Sequence, residues 1–270
     1  MTDQYAVFGN PIAHSKSPKI HSEFAKLTGV TLNYTAILAP IDDFAGALAD
    51  FIQHGGKGAN VTIPFKQEAC RLATVLSERA QLAQAVNTLT FNNGVIYGDN
   101  TDGAGLVRDI QDNLKFSIQH KRILLLGAGG AARGVILPLL KQQPDSLTIA
   151  NRTAEKAHEL QHQFSAYGQV EGGSYDHLAG RTFDLVINAT SSSLNNALPP
   201  VPAGIFASNA LAYDMMYGTG LTPFLAFAGA QGAAQLADGL GMLVEQAAES
   251  FFVWRGIRPA TQPVITLLKN

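Results

Sequence analysis

Largely apolar runs with little polar alternation mark residues 123–126, 147–150, 183–188 and 211–216. Runs this short and this apolar fit strands covered on both faces, as in a parallel sheet. Leu240, Leu243, Val244, Ala247, Phe251 and Phe252 recur at helical spacing and predict the core stripe of a long amphipathic helix. The N-terminal part is patterned differently. Strands are predicted at 4–8, 32–38 and 60–63, the last stopped by Pro64. Helices are predicted from Ser17, over 41–52, and from behind Lys66 to Ala85. Asn93-Gly94 between two apolar runs is a hairpin signal. A helix over 102–114 follows, capped by one of Asp99, Asn100, Thr101 or Asp102. Ser17 before Pro18 and Thr222 before Pro223 each read as an N-cap with proline at the first helical position.

The 123–126 strand runs directly into Gly127, Gly129 and Gly130, and an apolar run opens behind them. The spacing is G-x-G-x-x-A, with Ala131 before Ala132 at the close-packing position. Strand, glycine turn and helix in that order make a phosphate cradle. The glycines allow a tight turn and close backbone approach, and the helix N-terminus presents free N–H groups and partial positive charge. A dinucleotide is the implied ligand. An NAD site would place a carboxylate at the end of the next strand, about 20 residues past the glycines, to hold the ribose 2′-hydroxyl. This chain has Asn151, Arg152 and Thr153 there. A guanidinium pairs with a 2′-phosphate, which a carboxylate would repel, so the residues themselves point to NADP.

Composition narrows the remaining classes. The 270 residues are 46% hydrophobic and carry a net charge of -2, enough for one large or two modest cores. No basic stripe suggests nucleic acid, and no apolar run reaches membrane-spanning length. The single Cys70 excludes an internal disulfide and a cysteine metal cluster. No signal peptide is recognised, so a cytoplasmic location is expected. The N-x-T triplets at Asn60, Asn151 and Asn188 then need a reason other than glycosylation. Residues 158–162, HELQH, match a zinc-protease pattern literally. They fall on the helix after the NRT strand, whose polar side should face solvent, so a solvated helix face is expected.

The segments HSKSP, NVTIPFK, AVNTL, GDNTDGAG and GAGGAARG occur in this order across nearly the whole chain. Together they resemble the shikimate dehydrogenase family. NVTIPFK and GDNTDG are specific to that family and its near relatives, whereas GAGGAA is not. The resemblance implies an α/β protein with an N-terminal mixed-sheet substrate domain (1–101 and 238–270, discontinuous) and a Rossmann-type doubly wound parallel-sheet cofactor domain (102–237). Ser15 and Ser17 would grip a substrate carboxylate. Thr62, Asn87 and Gln246 would contact ring hydroxyls, and Tyr217 would line the substrate pocket. Lys66 and Asp102 would form the catalytic pair, one from each side of a cleft. Gly127, Gly129, Gly130, Ala131, Ala132, Asn151, Arg152, Thr153, Thr190, Met215 and Gly239 would serve NADP, with Asn188, Ala189 and Ser191 as further candidates. No metal is implied. The implied reaction is reversible reduction of 3-dehydroshikimate to shikimate by NADPH. The partners would be small molecules only, and the assembly a monomer or homodimer. Ser193, where the family carries glycine, and Ser22, where it carries asparagine, depart from the pattern.

Three rival readings carry distinct signatures. A quinate/shikimate dehydrogenase would accept NAD, which Arg152-Thr153 opposes. A non-catalytic NADPH sensor shares the fold, since fold alone does not fix activity, but has no use for Lys66 and Asp102. A dehydrogenase of folate-bound one-carbon units leaves Ser15 and Ser17 unexplained.

Overall fold

The computed structural model describes residues 2–190, 192 and 197–269. Ser191, Ser193 and the start of the polar loop at 195–202 lie outside the described residues. The chain divides into two compact units. One takes the chain up to Gly105 and again from Leu243 onward, and the other runs from Leu106 to Met242.

The first unit opens with β1 (Asp3–Gly9), α1 (Ser17–Thr28), β2 (Leu32–Leu38), α2 (Phe44–Gln53) and β3 (Gly56–Val61). It continues through α3 (Lys66–Leu72), β4 (Val75–Leu76), α4 (Glu78–Ala83), β5 (Thr88–Asn92), β6 (Val95–Asp99) and α5 (Asp102–Arg108). The sheet order is β2-β1-β3-β5-β6-β4. β1 pairs in parallel with β2 and β3, whereas β5 runs antiparallel to both β3 and β6. The mixed sheet follows from the connections. Helical crossovers join the parallel strands, and the Asn93-Gly94 turn, both residues at positive φ, joins β5 to β6. Alternation along β1 sends Ala6 and Phe8 into a core with Phe44, Leu48, Val61 and Phe65. Tyr5 and Val7 pack on the other face with Tyr34.

The sequence expectation of one helix up to Ala85 is corrected here. The two-residue strand β4 interrupts it and pairs with Tyr97 and Gly98 of β6. The strand expected at 60–63 instead ends at Val61, leaving Thr62 and Ile63 in the turn before Pro64.

The second unit begins with a π-helical turn over Asp109–Asn113, which continues α5 and replaces the regular helix expected to Leu114. Then come β7 (Arg122–Leu126), α6 (Gly130–Leu140), β8 (Ser146–Ala150), α7 (Ala154–Phe164), β9 (Val170–Gly173), β10 (Phe183–Asn188), β11 (Phe206–Asp214), α8 (Pro223–Ala230) and β12 (Gln235–Asp238). All pairs are parallel, in the order β12-β11-β10-β7-β8-β9. The order reverses between β7 and β10, which makes the C-terminal end of β7 the switch point where such sheets bind ligands. Ile123 to Leu126 are fully buried, as a strand covered on both faces requires.

Two helices complete the chain, α9 (Leu240–Arg255) and α10 (Gln262–Lys269). Val244, Ala247 and Phe251 of α9 pack with Ile20 and Phe24 of α1 and with Val264 of α10. Phe252, expected in this stripe, is 42% exposed, because the buried arc turns away from it.

Candidate active site

Within the first unit the parallel strands β1 and β3 end side by side, and Thr62 follows directly on the end of β3. Gly9 is required by the close approach of the two turns: a Cβ there would stand 2.5 Å from Thr62 Cγ2. The Thr62 amide donates to Phe8 O at 2.9 Å and the Asn10 amide to Ile63 O at 3.1 Å. Phe65, buried in the core, anchors the start of α3 and so places Lys66 on its first turn.

Lys66 Nζ donates to Asp102 Oδ2 at 2.6 Å. Their side chains are 30% and 13% exposed, so the pair is partly shielded yet open to solvent on the lysine side. Both residues belong to the first unit. The expectation that they approach from opposite sides of a cleft is therefore corrected to a pair held inside one unit. Asp102 opens α5, and the Asn100 side chain accepts from its amide at 3.1 Å. Asn100 thus satisfies the first amide of the helix from just outside it, while Thr101, whose carbonyl accepts from the Gly105 amide at 2.9 Å, stands at the cap position within the 99–102 span.

Asn87 fixes the carboxylate from behind. Its Nδ2 donates to Asp102 Oδ1 at 2.8 Å, and its Oδ1 accepts from the Thr101 amide at 2.9 Å. Gln246 Oε1 accepts from Asn87 Nδ2 at 3.3 Å. This reach depends on Gly105, where a Cβ would come 2.6 Å from the Gln246 amide nitrogen. Asn60 ties the layer below together. Its Oδ1 accepts from the Tyr34 hydroxyl at 2.7 Å, and its Nδ2 donates to Asn87 O and Ser250 Oγ, both at 3.0 Å. Ser250, fully buried on α9, also lies 2.8 Å from Thr88 Oγ1. Sequence reading missed Tyr34, Thr88, Thr101 and Ser250 in this network. Only their burial reveals them, since each is an ordinary polar residue in a strand, a turn or a helix.

Ser15 and Ser17 flank the start of α1. Ser17 occupies the first helical position and is not the cap. Instead the Ser17 amide donates to Ser15 Oγ at 3.3 Å. Ser17 also acts on the buried Tyr34 phenol. Burial pushes that phenol well above its usual pKa, and Ser17 opposes the shift only in part.

The second unit holds the dinucleotide features. A cavity of about 640 Å³ is lined by Gly127, Ala128, Gly129, Gly130, Ala131, Asn151, Arg152, Thr153, Lys156, Tyr175, Ala189, Thr190 and Ser192, with Pro199 and Pro200 at another edge. Gly127 turns at φ 106°, and a Cβ on it would stand 3.2 Å from Thr190 Cγ2. Gly129 caps α6 without any side-chain bond, and a Cβ on Gly129 or Gly130 would meet nothing within 4 Å. The first amides of α6 therefore lie open toward the cavity. Ala132 is fully buried and packs the helix onto the sheet instead of lining the cavity.

At the β8 end, Arg152, Thr153 and Lys156 bring two cations and a hydroxyl to the wall, and no Asp or Glu lines the cavity among the described residues. This donor set fits a dinucleotide carrying a 2′-phosphate. Thr153 Oγ makes no cap bond and Asn151 Nδ2 donates to Thr153 O at 2.9 Å. Tyr175 forms the neighbouring wall. Burial raises its phenol pKa, with the Arg152 charge acting against the shift. Lys156 was missed from sequence, although its place three residues after Thr153, one helical turn on, is a usable signal; Tyr175 had no sequence signal.

Met215 and Gly239 do not line this cavity. Gly239 instead allows the chain to close on the Met215 carbonyl, and its amide donates to Met216 O at 3.0 Å. Tyr217 follows β11 in the second unit, half-buried, and burial raises its phenol pKa. Thr222 caps α8 as its position before proline implied, accepting from the Leu225 amide at 3.2 Å. His158, Glu159 and His162 of the HELQH segment are exposed on α7.

Comparison with known proteins gives a consistent result. Residues 7–89 match the pattern described as shikimate dehydrogenase substrate binding domain, residues 109–197 that of shikimate / quinate 5-dehydrogenase, and residues 239–269 that of shikimate 5'-dehydrogenase C-terminal domain. A protein of Nitrosospira multiformis named shikimate dehydrogenase (NADP(+)) is 62% identical over 100% of this chain and 98% of its own. The crystal structure of an Ael1 enzyme from Pseudomonas putida superposes with a TM-score of 0.94 at 51% identity, covering 99% of this chain and 98% of that one. Shikimate 5-dehydrogenase of Thermus thermophilus, solved in complex with NADP(H) and shikimate, gives a TM-score of 0.88 at 29% identity over 99% of both chains. The chain belongs to the shikimate dehydrogenase family.

Proposed function

We propose that this protein is an NADP-dependent shikimate dehydrogenase, interconverting 3-dehydroshikimate and shikimate within aromatic amino-acid biosynthesis. The observation that carries the reading is the Lys66–Asp102 pair at 2.6 Å, braced by Asn87. It is joined by a carboxylate-free cavity bearing Arg152 and Lys156. A sensor that only bound NADPH would have no use for the first of these.

Bound NADPH supplies the hydride. Reducing a ketone leaves negative charge on oxygen, so a positioned acid must deliver a proton there. Lys66 Nζ fills that role and also stabilises the developing alkoxide. Asp102 Oδ2 orients the ammonium, while Asn87 holds Oδ1 and keeps the carboxylate plane fixed. In the reverse direction the same nitrogen takes the hydroxyl proton. Ser15 and Ser17 bind the substrate carboxylate, and Thr62, Asn87 and Gln246 take its hydroxyls, with Tyr217 as a further contact. The open amides of α6 receive the pyrophosphate. Arg152, Thr153 and Lys156 receive the 2′-phosphate.

Among the described residues no helix is long and apolar enough to cross a membrane. A cytoplasmic enzyme working on small molecules, as monomer or homodimer and without nucleic acid, is the accompanying proposal. The net charge of -2 and the single cysteine agree with it.

The reading is tested by absorbance of reduced nicotinamide during shikimate oxidation, with NADP and NAD side by side and quinate as second substrate. Fast turnover confined to NADP and shikimate is expected. Comparable rates with NAD and quinate point to the broader quinate/shikimate enzyme, and NADPH binding without turnover points to the sensor.

A further inference from the structure

Asp214 closes β11 and is fully buried. Its carboxylate gathers donors from separate segments. Thr222 Oγ1 donates to Oδ2 at 2.6 Å. The Met216 amide donates to Oδ1 at 3.1 Å, and Asn188 Nδ2 donates to the same oxygen at 3.2 Å. A carboxylate is costly to bury unless such bonds compensate, and bonds to the charged group are stronger than neutral ones. The segments so held include one that lines the dinucleotide cavity. Asn188 Oδ1, presented by the same side chain that Asp214 anchors, accepts from the Thr190 amide at 3.1 Å and the Thr190 hydroxyl at 2.7 Å. Thr190 in turn backs Gly127 across the cavity floor.

We propose that Asp214 is a positioning residue for the cofactor: through Asn188 it fixes the Ala189–Thr190 wall against the glycine turn, and so sets affinity for the dinucleotide without touching it. The proposal rests on the dehydrogenase reading. The anchored wall lies beside Gly127, whereas the adenosine end is gripped by Arg152 and Lys156 at the end of β8. A positioning role at the first place should leave the second intact.

Asp214→Asn keeps the shape but puts donors opposite donors. Titration of the folded variant with NADPH should give a Kd raised about tenfold, the scale of one lost charge-assisted bond. Adenosine 2′,5′-bisphosphate should bind within twofold of the parent. Thr222→Val and Thr222→Ser form a second arm that decides the matter if Asp214→Asn does not fold. The valine should weaken NADPH selectively, and the serine, which keeps the hydroxyl, should restore it. Unchanged NADPH affinity in Asp214→Asn, equal weakening of both ligands, or indistinguishable Thr222 variants would overturn the proposal. A parent that binds no NADPH defeats the dehydrogenase reading itself, and the titration of the parent separates the two failures.

Discussion

At the scale of single residues, the site is a matter of who holds whom. Asp102 has one oxygen on Lys66 and the other on Asn87, so the carboxylate has little freedom to rotate. Arg152, by contrast, is exposed on the cavity wall. Arg152→Ala should raise the Kd for NADPH by about tenfold or more while leaving NADH nearly unchanged, because only the former carries the 2′-phosphate that forms charge-assisted bonds. Equal weakening in a side-by-side titration would remove the 2′-phosphate assignment. Arg152 was legible from its place at the end of the strand after the glycine turn, whereas Lys66, Asp102 and Asn87 stood out only through the family motifs that contain them. The part played by Tyr34, Thr88, Thr101 and Ser250 was not legible, since their importance lies in burial and mutual contact between segments distant in sequence.

Elements show where local signals suffice and where packing overrides them. The glycine turn, the Asn-Gly hairpin and the Thr222 cap follow from backbone preference and were readable directly. The strand β4 was not readable, because Val75 and Leu76 have strand form only through pairing with β6. The π-helical turn at Asp109–Asn113 likewise has a tertiary setting: Asp109 Oδ2 accepts from the buried Tyr213 hydroxyl at 2.7 Å and Oδ1 accepts from Asn113 at 2.8 Å. Burial, together with that acidic neighbour, keeps the Tyr213 phenol well above its usual pKa. The crossing of α5 and α9 at Gly105 is the element-level condition for Gln246 to meet Asn87. Gly105→Ala should therefore cost about 1–3 kcal/mol of stability, as overpacking does. It should also lower affinity for shikimate more than for NADPH. Calorimetry on the variant checks both, and a neutral melting temperature with unchanged binding would contradict the tight crossing.

For the molecule as a whole, acid is the expected weakness. His21 is fully buried against Tyr34, its ring nitrogens lack hydrogen-bond partners, and burial lowers its pKa to about 3, an influence from Asn60 opposing this only partly. The folded value lies below the ordinary 6.5, so the unfolded chain takes up the proton first. Stability is then lost as pH falls from about 6.5 toward 3, by up to about 1.4 kcal/mol per pH unit. Asp99 and Glu249 add to this at lower pH. Burial raises both, but Arg79 with Ser77 and the Asn100 amide outweighs it at Asp99, and Arg258 with Arg79 outweighs it at Glu249, so both pKa values are depressed. Their contribution is present above the ordinary carboxylate values near 4 and disappears as pH falls through the folded ones. Urea unfolding at pH 7, 6 and 5 should show the decline, and His21→Phe should flatten it; an equal slope in the variant would assign the decline elsewhere.

The first unit holds the Lys66–Asp102 pair and the second the dinucleotide features, so on the proposed reading each carries one half of the chemistry. The claim that joins them is that Lys66 delivers the proton. It is tested most directly by steady-state kinetics of Lys66→Ala in shikimate oxidation with NADP. The account predicts a kcat lowered by roughly 10²- to 10⁴-fold with a much smaller change in KM, the signature of an interaction made in the transition state. A kcat near that of the parent with a large rise in KM would make Lys66 a binding residue and contradict the mechanism.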